Sequence, residues 1–298
     1  MANLKEVRIR IASVKSTKQI TSAMKMVAAA KLRKAQNSIQ TMRPYALKLQ
    51  EIMQDLTESM ENSNENVFTR RKQDNRVLIL VITSNRGLCG AFNLNVVKQS
   101  IDLIHNELEN KYKQGKVDII CYGKKGADLL KTKGYEIKEV NTKIYDDLNF
   151  NSASELAVKL MDDFKNSIYD QILMVYNQFK NAAVQVLQTE QFLPIKENPP
   201  KKSDSAAIIR KHADYIFEPG KEEILEELVP KTLKIQLYKA LLDSFAAEHG
   251  ARMTSMHQAT ENATELIKDL NLSYNKARQA AITKEILEIV SGAEALNG

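Results

Sequence analysis

The sequence predicts a mixed α/β chain: two long terminal helices pair antiparallel as a coiled coil, with a compact insert of alternating strands and helices between them. Three observations carry this. A three-four stepping of mostly apolar positions runs from Leu4 to Met60, and a second runs from Leu242 to Ala281. Between them lie short β-branched runs separated by helical segments. A narrow stripe with this spacing is the seam of one long helix on another, whereas a buried β-branched run bounded by turn residues is a strand.

The first helix occupies residues 1–62. Its stripe visits Leu4, Val7, Ile11, Val14, Lys18, Thr21, Lys25, Ala28, Leu32, Ala35, Ile39, Met42, Ala46, Leu49, Met53, Leu56 and Met60, of which only Lys18, Thr21 and Lys25 are polar. There Ile20, Ala23, Met24 and Val27 offer apolar surface on another face, so the helix is expected to change packing partner part-way. At about 1.5 Å per residue such a helix spans roughly 85 Å, far beyond an ordinary globular helix. Pro44 is expected to bend it, because proline lacks an amide donor and crowds the preceding turn. The polar run Glu61-Asn62-Ser63-Asn64-Glu65-Asn66 ends it.

The insert covers residues 75–195. Arg76–Thr83 reads as a strand buried on both faces, and Ser84-Asn85-Arg86-Gly87-Leu88-Cys89-Gly90 turns the chain into a helix reaching about Lys111. Val117–Cys121 repeats the strand and Lys124–Lys133 the helix. Further strands follow at Tyr135–Val140, Gln171–Tyr176 and Ala183–Phe192, with a helix near Ser152–Ser167. Strands alternating with helices give a small Rossmann-like α/β domain.

Residues 196–230 read as a connection. Pro194–Ser205 is a loop by composition, Tyr215–Gly220 is extended, and a short acidic helix from Lys221 to Val229 is expected to stop at Pro230. The second long helix takes residues 231–298. Its stripe passes through Leu242, Ala246, His249, Met253, Met256, Thr260, Ala263, Ile267, Leu270, Tyr274, Ala277 and Ala281. The phase then slips by one residue to Ile282, Ile286, Ile289, Ala293 and Leu296 on a rotated face. One helix is thus expected to serve two partners, its mate below the slip and other proteins above it.

Composition narrows the function classes. Trp is absent and aromatics are 6% of the 298 residues, which suits long Ala-, Leu- and Met-rich helices better than a sandwich. The start lacks the apolar run of a signal peptide, and no segment approaches about 18 uncharged apolar residues, so membrane association is expected only through partners. Two cysteines, Cys89 and Cys121, give no disulfide framework. Charge is uneven: residues 1–48 hold eleven Lys and Arg against one acid, Glu6, although the whole chain is only +6. The remainder is therefore net acidic, and the basic end asks for an acidic surface.

Few residues qualify as a chemical site. The Gly87-Leu88-Cys89-Gly90 turn stands where α/β domains bind phosphate, but it is neither G-x-G-x-x-G nor a P-loop, so it reads as a tight structural turn. Cys89 has no His near it in sequence to act as base. His105, His212, His249 and His257 are scattered without metal-ligand spacing, and His249 reads as a polar interruption of the seam. The basic run Lys15, Lys18, Lys25, Lys31, Arg33 and Lys34 remains; it has few acids to neutralise it at helical spacing, so an acidic partner is expected against it. No catalytic residue, cofactor or metal ligand is indicated.

The segment Ile282–Ala295, ITKEILEIVSGAEA, closely resembles the C-terminal signature of the gamma subunit of bacterial F-type rotary ATP synthases. The Ile11–Lys31 helix, the Ser84–Asn93 turn and Glu248–Met253 are similar to other recurrent segments of that family. Asn85 stands where the family is expected to favour an acid, and Gly250 where Ala is expected; Gly250 should soften its helix locally. The resemblance implies a non-catalytic rotor shaft within a ring of three alpha and three beta subunits. Its foot would meet the epsilon subunit and the membrane-embedded c-ring, on the cytoplasmic face of the bacterial plasma membrane. Met24 and Lys25 would lie near acidic loops of the beta subunits, with Arg252 on the facing helix. Arg278, Gln279, Thr283 and Glu285 would sit where the upper shaft meets the ring. Two other classes stay open: a nucleotide-dependent enzyme on the α/β insert, and a basic coiled coil that binds nucleic acid. The first needs convergent catalytic groups, and the second needs base-stacking aromatics, of which residues 1–44 contain none.

Overall fold

The computed structural model describes residues 4–58, 68, 76–195 and 221–297. The expected loop at Glu61–Asn66, most of the Pro194–Ser205 loop and the extended Tyr215–Gly220 segment lie outside them. Two helices bracket the chain, α1 (Leu4–Glu58) and α6 (Lys221–Asn297). The residues divide into two compact units, Met1–Ala30 with Arg252–Gly298, and Lys31–Ala251.

The first unit is an antiparallel helix pair. Polar contacts across it run from Arg8 to Tyr274, from Thr21 to Thr260, and from Lys25 to His257. As the α1 partner advances, the α6 partner retreats by an almost equal number of residues, which is antiparallel register. Every stripe position of α1 in this unit is buried or half-buried, whereas Ile20, Met26 and Val27 stay exposed. The expected change of packing partner does not occur within the unit. Lys18, Thr21 and Lys25 remain on the seam, where Thr21 and Lys25 find polar partners on α6 instead of apolar ones.

On α6 the stripe is covered from Met253 to Ala277, and Ala281, expected on the seam, is exposed. The register sets Leu4 beside Ala277 and Arg278. Every residue from Arg278 to Gly292 is exposed.

The second unit is built on a five-stranded sheet ordered β3-β2-β1-β4-β5. Strands β1 (Val77–Ile82), β2 (Val117–Tyr122), β3 (Glu139–Asn141) and β4 (Gln171–Phe179) run parallel, and β5 (Gln185–Leu193) pairs antiparallel with β4. All six residues of β1 are fully buried. Period-two alternation sends Leu78, Leu80 and Ile82 to one face and Val77, Ile79 and Val81 to the other. Helices α2 (Phe92–Glu107) and α4 (Lys124–Thr132) cover the second face; α3 (Glu109–Lys113) follows a break at Leu108. The first face takes α5 (Phe150–Lys165) and the start of α6, through Val229, Leu233, Leu237, Ala240 and Leu241.

The stop expected at Pro230 is not observed, since α6 runs through it. A proline inside a helix costs about 3 kcal/mol. Val229 and Leu233, each 1% exposed against the sheet core, offset that at roughly 1.5–3 kcal/mol apiece. Gly250, expected only to soften its helix, has a packing role. A Cβ there would meet the Ala182 backbone at 3.3 Å and the Phe179 ring at 3.4 Å, so glycine admits the β4–β5 hairpin close to α6.

Candidate partner-binding surfaces

The turn after β1 is closed by its own side chains. Ser84 N–H donates to Asn93 Oδ1 at 2.9 Å, and Asn93 Nδ2 donates to Ser84 Oγ at 2.8 Å and to Cys89 Sγ at 3.2 Å. Leu88 and Gly90 take left-handed φ values of 64° and 59°. Cys89 is buried with Phe92 against Ala247.

The first amides of the neighbouring helix α4 are occupied. Lys124 N–H donates to Asn85 Oδ1 at 3.2 Å, Lys125 N–H to Ser84 O at 3.0 Å, and Gly126 N–H to Thr83 Oγ1 at 3.0 Å. Thr83 fits so closely that a Cβ on Gly123 would lie 2.2 Å from its carbonyl oxygen. Asn85 also donates from Nδ2 to Thr142 O at 2.8 Å. It therefore uses both halves of its amide, which a carboxylate could not do, and this accounts for Asn in place of the acid expected there.

On the helix pair, Lys15, Lys18, Gln19, Ser22, Ala23 and Met26 of α1 line a shallow groove with Ile267 of α6. Ile20 and Val27 are exposed elsewhere on α1. Beside the groove Lys25 Nζ lies 3.3 Å from His257 Nδ1, and His257 Nε2 lies 3.4 Å from Glu261 Oε1. Met24 is half-buried next to this cluster, and Arg252 is buried. Lys31 belongs to the second unit and is exposed. Apolar and basic side chains are thus interleaved on solvent-facing positions, the composition of a surface that another protein covers.

The end of α6 presents a second surface. Arg278, Gln279, Thr283 and Glu285 are all exposed, and Thr283 Oγ1 donates to Gln279 O at 3.0 Å. Ile282, Ile286, Leu287, Ile289 and Val290 are exposed beside them, Ile289 at 66%. A helix carrying five bare aliphatic side chains within nine residues asks for a partner.

Sequence reasoning missed two clusters. The His257–Glu261 spacing was visible as i, i+4, but its meeting with Lys25 depends on the register of the pair. The other lies on the sheet: Glu190 accepts from Tyr176 Oη at 2.8 Å and from Gln236 Nε2 at 2.7 Å, and the buried Asp243 lies close to it. Burial, opposed by Lys239 and reinforced by Glu190, pushes the Asp243 carboxyl up to about 6. Among the described residues no cluster of His, Cys, Asp and Glu is placed to hold a metal ion, and no helix is long and apolar enough to cross a membrane.

A family model described as ATP synthase matches residues 3–296. The chain is 55% identical over 298 residues to the ATP synthase gamma chain of Christiangramia forsetii, covering 100% of both, and 46% identical over 302 residues to that of Chloroherpeton thalassium, covering 99% of both. It superposes with a TM-score of 0.70 on a chain of the Euglena gracilis mitochondrial ATP synthase OSCP/F1/c-ring structure, at 22% identity, covering 98% of this chain and 94% of that one. A likeness at that identity concerns the fold.

Proposed function

The chain belongs to the ATP synthase gamma chain family, and from that premise we propose how its surfaces serve a rotor subunit. The exposed end of α6 and the groove on α1 engage a ring of three alpha and three beta subunits, the groove's lysines meeting acidic loops of the beta subunits. Lys18, Met24, Lys25, Lys31 and Arg252 serve that contact, and Arg278, Gln279, Thr283 and Glu285 serve the upper one. The sheet unit engages the epsilon subunit and the c-ring. Ion flow turns the rotor, and its uneven faces bias each beta subunit in turn between conformations of differing nucleotide affinity. The chain itself is non-catalytic and touches the membrane only through partners, at the cytoplasmic face of the bacterial plasma membrane.

The observation that carries this reading is the run Arg278–Gly292, exposed throughout and bearing five bare aliphatic side chains. The turn that opens α2 has neither the G-x-G-x-x-G nor the P-loop spacing, which argues against the nucleotide-dependent enzyme. Affinity purification of the tagged chain from its own cells, with mass identification of what is retained, tests the proposal. Alpha, beta, epsilon and c subunits should be retained together, and Glu replacement of Lys18, Lys25 and Lys31 should weaken ion-driven ATP synthesis. Retention of nucleic acid alone, or unchanged synthesis in the triple variant, would contradict it.

A further inference from the structure

The contact between Lys25 and His257 constrains the chemistry of both side chains. An ammonium has three N–H donors and no acceptor, so the ring nitrogen it meets, Nδ1 at 3.3 Å, must offer a lone pair. The ring is then neutral with its proton on Nε2, the nitrogen that faces Glu261 Oε1 at 3.4 Å. Of the elements packed here, α1 faces the imidazole with Lys25 and α6 faces it with Glu261; the next contact along the seam, Thr21 with Thr260, is uncharged. Adding a proton at Nδ1 would set an N–H against an ammonium, break the contact and leave an imidazolium beside Glu261. Half the His257 side chain is exposed, so protons reach it directly.

We propose that His257 is a positioning residue for Lys25: the neutral ring holds the ammonium against α6, and protonation of the ring releases it. The inference rests on the reading that Lys25 meets a partner's acidic loop. Held by one N–H, Lys25 keeps two donors and its full charge for a partner carboxylate, with the swing of its four-carbon stem restricted. The rotor thereby carries a pH-sensitive element on the surface that couples it to the ring. Sequence alone could not find it, because Lys25 and His257 are 232 positions apart.

The test uses the whole complex in proteoliposomes, measuring ions pumped per ATP hydrolysed from pH 5.5 to 8. His257→Gln keeps an acceptor for Lys25 and cannot titrate; His257→Phe offers none. Wild type should lose coupling several-fold on the acid side, His257→Gln should stay flat, and His257→Phe should be low throughout. A His257→Gln profile that follows wild type, or a His257→Phe complex with full coupling, would overturn the proposal. Lys25→Ala separates the two layers. If it leaves coupling intact, the partner reading of Lys25 fails and the proposal with it. If it impairs coupling while the His257 variants do not, only the proposal fails. Nitrogen NMR of ring-labelled histidine in the full chain adds a direct readout: at pH 8 the His257 Nδ1 resonance should carry the shift of an acceptor held in a hydrogen bond, and Lys25→Met should move it to the position of a free acceptor. An Nδ1 resonance that Lys25→Met leaves unchanged would contradict the geometry.

Discussion

Thr21 and Thr260 meet across the helix seam with hydroxyl oxygens 2.8 Å apart, and Thr260 also donates to Met256 O of its own helix at 2.7 Å. One hydroxyl without the other leaves a polar group facing an apolar neighbour. Thr21→Val should therefore cost about 0.5–1.5 kcal/mol, and adding Thr260→Val should recover part of it, since removing both partners is nearly neutral. Urea unfolding followed by circular dichroism measures the cycle. A double variant less stable than the sum of the singles would contradict this account of the contact.

Asp243 should make the sheet unit sensitive to pH in a defined direction. Its folded-state pKa of about 6 stands above the ordinary 3.8, so the stabilisation it allows is complete below about pH 4 and is lost as pH rises through 6. Asp243→Asn should then stabilise the chain at pH 7.5 by up to about 3 kcal/mol, and at pH 4.5 by only about 1 kcal/mol. Thermal unfolding at the two pH values gives the comparison; equal effects at both would contradict the shift.

Gly250→Ala sets two effects of known size against each other. Alanine gains about 1 kcal/mol of helix propensity, while overpacking against a backbone typically costs 1–3 kcal/mol. Because the neighbour at 3.3 Å is Ala182 main chain and not a flexible side chain, a net loss of about 1 kcal/mol is expected in chemical unfolding.

The paired stretch of α6 and the run beyond it should respond differently to injury. Ile267 and Leu270 lie half-buried on the seam, so replacing both with Asp should cost several kcal/mol and reduce the helicity of the isolated chain. Deleting residues 286–298 removes helix in which every side chain described is exposed. That truncation should lower helicity only in proportion to length and weaken assembly with alpha and beta subunits, as gel filtration would report.

Much of this architecture was legible because burial in a helix or strand repeats with a fixed period. Leu4, Val7, Ile11, Val14, Thr21 and Ala28 all fall on the covered stripe, and β1 is buried along its whole length, as its β-branched run implied. What escaped depends on distant partners. Whether α6 passes Pro230 is decided by the burial of Val229 and Leu233 against a sheet formed far away in sequence, and local propensity points the other way. Nothing in Gln185–Leu193 announces that it will pair antiparallel with β4. The same holds at the surfaces: the exposed aliphatics after Ile282 were readable as a slipped phase, whereas the Lys25–His257–Glu261 cluster exists only through the register of the pair.

Rotation itself gives the most direct test of the rotor reading. Cys89 and Cys121 are both buried, so a cysteine placed at the exposed Lys133, just past α4, would take a bead or fluorophore selectively in the assembled complex. With the alpha/beta ring fixed to a surface, addition of ATP should drive the probe in one direction in discrete steps, three to a turn. A probe that stays fixed relative to the ring while the complex hydrolyses ATP would contradict the account.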